Sequence, residues 1–201
     1  MKLLCIKGIA SAAGLALLIL LCLPAAVAAH PMKGVGDFYS GMLHPLTALE
    51  FLLSWIALAL FAGQQGRKAA LLTLAIFPFA LVLGASLGAV LPSPAWLPVM
   101  NLVLIPILGL AVVLAISFPS AAIASLVAVV GLLHGLANGA EITAPVSPWR
   151  FIPGLATIAV LVLAYGIGLV CSLHKPWTRI AVRVAGSWIA AAGMMVCALK
   201  L

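Results

Sequence analysis

Three stretches, Ala69–Leu91, Val99–Ser117 and Phe151–Leu173, contain no Asp, Glu, Lys, Arg or His. Uncharged apolar runs of about 20 residues match the hydrocarbon thickness of a bilayer when wound as helices. In lipid the backbone must satisfy its own hydrogen bonds, which a single helix does unaided. Three further runs complete the set, Met42–Ala62, Ser120–Gly139 and Ile180–Leu199. The expected fold class is an all-α membrane protein with six transmembrane helices.

With 66% hydrophobic and 6% charged residues, the chain cannot be a soluble domain. The net charge of +7 does not indicate a nucleic-acid partner, because the basic residues flank the apolar runs instead of lining one face. The partner implied is the lipid bilayer itself.

Residues 1–29 read as a cleavable signal peptide. Lys2 and Lys7 are its basic start, Gly8–Leu23 its apolar middle and Pro24–Ala29 its small-residue end. Cleavage after Ala29 makes His30 the new N-terminus; cleavage after Ala28 and an uncleaved first helix are the alternatives. Residues 30–201 then form one six-helix transmembrane domain. An exported N-terminus followed by six spans places Arg67, Lys68, Lys175, Arg179 and Arg183 in the cytoplasm, as the positive-inside rule requires. The expected location is a bacterial inner membrane, with the mature N-terminus in the periplasm. Cys171 and Cys197 fall near opposite membrane faces, too far apart for a disulfide, and read as small core hydrophobes.

Against this apolar background the polar residues stand out. On a helix at 100° per residue, Asn138 lies about 40° and Glu141 about 20° from His134, so all three share one face. Gly131, Gly135 and Gly139 beside them allow a second helix to approach closely. The first span carries His44 and Glu50 six residues apart, close to the seven-residue separation of His134 and Glu141. If spans one and four pack antiparallel, each carboxylate meets the other helix's histidine, His44 with Glu141 and His134 with Glu50. Ionisable residues inside a membrane usually mark a pathway or a binding site. Imidazole with carboxylate suits a divalent first-row metal. The competing reading is a hydrogen-bonded pair that fixes helix register. The candidate metal ligands are His44, Glu50, His134 and Glu141, with Asn138 and His30 in support. Asp37 reads as a capping or solvated carboxylate, Asn101 as a packing residue and Trp55 as a lipid or core contact. Ser40, Ser54 and Ser86 lie in no Gly-x-Ser-x-Gly pattern, and no His-Glu-x-x-His occurs, so no enzyme is expected.

The stretch Gly41-Met-Leu-His-Pro-Leu-Thr-Ala-Leu-Glu-Phe51 resembles the first-helix signature of the HupE/UreJ family, in which a histidine is followed after five residues by Asp-His. Leu133-His-Gly-Leu-Ala-Asn-Gly-Ala-Glu141 is similar to that family's second signature, Phe-His-x-x-Ala-His-Gly-x-Glu. The resemblance implies an inner-membrane permease for nickel or cobalt, serving hydrogenase or urease maturation, with no permanently bound cofactor. It matches His44, His134, Glu141 and His30 directly, and Glu50 in place of the aspartate. Phe51 and Asn138 stand where the family has histidine. Phenyl is no ligand and a carboxamide oxygen a hard one, so copper, zinc or another divalent ion remains open as cargo. A reading from another class is a non-transporting membrane subunit that anchors or assists maturation of a metalloenzyme.

Overall fold

The computed structural model describes residues 36–200, all of whose regular structure is helical. Residues 1–29, expected to be a signal peptide, and His30 lie outside the described residues. The helices are α1 (Asp37–Thr47), α2 (Leu49–Gln64), α3 (Arg67–Gly88), α4 (Leu97–Leu114), α5 (Ser120–Ala140), α6 (Pro148–Ser172) and α7 (Pro176–Lys200). Helices α3 to α7 are each long and apolar enough to cross a membrane. A sixth span results if α1 and α2, bent 78° from each other, count as one.

That bend is the main departure from the expected continuous first span. Pro45 supplies no N–H to the helical ladder. The His44 carbonyl accepts from both Thr47 Oγ1 (2.9 Å) and the Ala48 N–H (3.1 Å). The ladder restarts with Phe51 and Leu52 donating to the Ala48 carbonyl. Helix α2, with 16 residues, spans about 24 Å, less than the roughly 30 Å of hydrocarbon. Pro78 and Pro106 sit inside α3 and α4 without ending them.

Glycines set the packing. Helices α3 and α5 run parallel in the most extensive contact of the bundle. A Cβ at Gly84 would meet the Leu132 carbonyl, one at Gly135 the Leu81 carbonyl, and one at Gly139 the Ala85 carbonyl. Span four thus packs on span two, and it touches α2 only locally instead of along its length. Gly109, Gly186 and Gly193 bring α4 and α7 together in the same way, and Gly41 and Gly154 join α1 to the start of α6. The core is filled by Trp55, Phe61, Phe77, Leu81, Ile105 and Leu155, all almost completely buried. Phe79, Leu71, Leu161 and Ile180 form an exposed apolar belt suited to lipid.

The two ends of the bundle differ. At one, Gln64 donates to the Val112 carbonyl, Gln65 to that of Ile116 and Arg183 to that of Val113, satisfying the frayed end of α4. Arg67, Lys68, Lys175 and Arg179 belong to this end. The opposite end holds Asp37, Glu50 and Glu141, the full acidic complement of the chain. Asp37 accepts a hydrogen bond from the Ser147 N–H at 3.1 Å, tying α1 to the start of α6. Cys171 is an exposed free thiol and Cys197 a half-buried one, so Cys171 is not a core residue.

Candidate functional site

The break after Thr47 determines what the acidic end presents. It swings His44, near the end of α1, towards Glu141, just past the end of α5. Their Nε2 and Oε2 atoms lie 3.1 Å apart, close enough for charge pairing but out of line for a directed hydrogen bond. The His44 side chain is 10% exposed and that of Glu141 49%, so the pair stands at the boundary between bundle and exterior. Glu50 occupies the first turn of α2, where the helix dipole favours a carboxylate. Its partner is Lys200, at 3.5 Å.

His134 lies deeper and is completely buried. Its Nδ1 accepts a 2.8 Å hydrogen bond from the Trp55 indole N–H, and its Nε2 has no protein partner. The expected meeting of His134 with Glu50 does not occur. Trp55 takes that place because it is one turn deeper than Glu50 on α2, at the level of His134. Asn138 donates from Nδ2 to the His134 carbonyl at 2.7 Å and leaves its buried Oδ1 unpartnered. Phe51 sits between the two imidazoles, its ring centroid 6.4 Å from that of His44 and 5.4 Å from that of His134.

Beside this column is a cavity of about 490 Å³ between α2, α4, the end of α5 and the end of α7. Glu50, Glu141, Asn101, Lys200 and Phe51 are among the residues lining it. Asn101 is 3% exposed, and neither its Oδ1 nor its Nδ2 has a hydrogen-bond partner, so it makes no cross-helix packing bond. An unpartnered buried carboxamide is costly, about 1–3 kcal/mol, unless something in the cavity meets it.

Among the described residues, no three His, Cys, Asp or Glu side chains are grouped closely enough to hold a metal ion. The structure brings His44 to Glu141 and sets Glu50 and Glu141 on one cavity, while His134 is held separately beneath Phe51. Sequence reasoning missed the role of Trp55. The available signal was its four-residue spacing from Phe51, which puts both aromatics on one face of α2.

The sequence model of the family described as HupE / UreJ protein matches residues 17–196. The chain is 26% identical over 176 residues to Protein HupE of Rhizobium leguminosarum bv. viciae, an alignment covering 86% of this chain and 91% of that protein. No solved structure matches the chain. With both signatures at the acidic end of an all-helical bundle and a family match along most of its length, the chain is a divergent member of the HupE/UreJ family.

Proposed function

We propose that this protein is a membrane permease that takes up a divalent transition metal ion, with residues 30–201 as its transporting domain and the acidic end facing the periplasm. Nickel or cobalt is the cargo that the family resemblance implies. The observation that carries the reading is the meeting of His44 and Glu141 at the mouth of a cavity that Glu50 also lines, beside a broken helix. Broken spans that end inside the membrane are a recurring way to hold ions in transporters. Carboxylates at an entrance concentrate cations, and a site built from few ligands releases its ion readily. His30, if it is the mature N-terminus, supplies a further imidazole and an α-amino group; His134 and Asn138 are the deeper polar groups along the path. The basic end faces the cytoplasm of a bacterial inner membrane in this reading. A hydrogenase or urease maturation system is the consumer implied by the family.

The experiment is accumulation of nickel, cobalt, copper and zinc, offered singly, in cells expressing the wild type or Glu141→Gln at equal level. Accumulation of one ion, reduced about tenfold or more in Glu141→Gln, is the expected result. No accumulation of any ion by the wild type sinks the permease reading and favours a non-transporting subunit of a metalloenzyme assembly.

A further inference from the structure

The contact between Trp55 and His134 has a chemical consequence for the cargo. An indole N–H only donates, so Nδ1 of His134 must offer its lone pair to Trp55. An uncharged imidazole then carries its proton on Nε2, and that nitrogen has no lone pair left for a metal. Both ring nitrogens are therefore withheld, one by Trp55 and the other by its own proton. Ligation through Nε2 would require moving the proton to Nδ1, where it would point at the Trp55 N–H, donor against donor. Metal-bound histidines ordinarily present their second nitrogen as a donor to an acceptor, the opposite arrangement.

We propose that Trp55 sets the metal preference of this chain by withholding His134 from the ion, which leaves the oxygens of Glu50, Glu141 and Asn101 as the groups that meet the cargo. This inference rests on the permease reading for the identity of the cargo. All three oxygen donors line the one cavity, and Asn101 is buried there with both polar atoms unpartnered. Phe51, which lines the cavity, packs on the His134 ring at 5.4 Å, and Asn138 donates to the His134 carbonyl, leaving His44 as the described imidazole beside the cavity residue Glu141. Carboxylate and carboxamide oxygens suit manganese or magnesium, whereas imidazole favours nickel, copper and zinc. The donor set thus moves the preference away from nickel and towards oxygen-preferring divalent ions. The Lys200 ammonium, 3.5 Å from Glu50 and half exposed, is the charge that an arriving cation displaces.

Two measurements test this on the full-length protein in detergent. The first is nitrogen NMR of the protein labelled with ¹⁵N-histidine, with the His134 signals assigned by their loss in His134→Gln. A protonated Nε2 with a bare Nδ1 is expected; a protonated Nδ1 overturns the proposal. The second is the ratio of nickel to manganese affinity in the wild type, in Trp55→Phe and in Trp55→Phe with His134→Ala. Freeing the imidazole from one buried hydrogen bond should raise the ratio about tenfold in Trp55→Phe, and the double variant should return it to the wild-type value. An unchanged ratio in folded Trp55→Phe overturns the assignment. If Trp55→Phe does not fold, the wild-type NMR spectrum decides by itself. Because the NMR measurement involves no flux, failure of the permease reading leaves a distinct signature: the expected tautomer without metal uptake.

Discussion

His44 and Glu141 show how little stability a functional pair needs to contribute. Glu141 is half exposed, so its attraction to His44 is worth at most about 1 kcal/mol. Glu141→Gln should therefore leave the thermal midpoint of the purified protein almost unchanged while it lowers metal uptake. A large fall in that midpoint would give the pair a structural role. Lys200→Gln should act in the opposite sense on the ion. Removing the ammonium beside Glu50 takes away a repelling charge, so equilibrium binding of divalent ions should tighten several-fold, and weaker binding would count against a cation site at Glu50. Phe51 offers a third test. Its ring lies 5.4 Å from that of His134 and 6.4 Å from that of His44, so Phe51→His would place an imidazole between two others. Nickel affinity, read by calorimetry, should rise about tenfold or more, and no change would show that the ion does not enter this column.

The helix pair α3–α5 is the element on which the bundle most depends. At Gly135 a Cβ would press on the Leu81 carbonyl, whereas at Gly168 on α6 it would meet open space. Gly135→Ala should thus cost about 1–3 kcal/mol, seen as a lower unfolding midpoint in detergent. Gly168→Ala should be neutral or stabilise by up to about 1 kcal/mol, because it only removes backbone freedom. Equal effects at the two positions would refute the packing account. The row Gly131, Gly135 and Gly139 was legible in the sequence from its four-residue spacing, because spacing alone defines a helix face. Which helix that row meets was not legible, since small residues permit an approach without naming a partner. Hence α5 was expected on α2 and lies on α3. The break after Thr47 was obscured for a related reason: Met42–Ala62 carries no ionisable residue apart from His44 and Glu50, and hydropathy does not register a 78° change of direction. The Trp55–His134 bond escaped because a tryptophan in an apolar run looks like any other core residue until its N–H has a direction.

Across the whole molecule, charge placement carries the orientation. Arg67, Lys68, Lys175, Arg179 and Arg183 hold one end, while the three carboxylates share the other with Arg150 and Lys200, and the packing of the helices keeps those ends apart. That division was already readable from the sequence because it follows only from span count and the position of each charge. In a background free of other cysteines, Trp149→Cys, at a position 89% exposed, should react with a membrane-impermeant thiol reagent applied to intact spheroplasts. Lys175→Cys should react only after the membrane is opened, and the reverse pattern would invert the topology. The most direct test of metal passage is entry of a divalent ion into sealed liposomes holding the purified protein, followed with an entrapped metal-sensitive dye. Saturable influx of nickel, cobalt or manganese, suppressed in Glu141→Gln, is what a permease with an acidic entrance must show. Liposomes with correctly folded protein that admit these ions no faster than empty ones would contradict it.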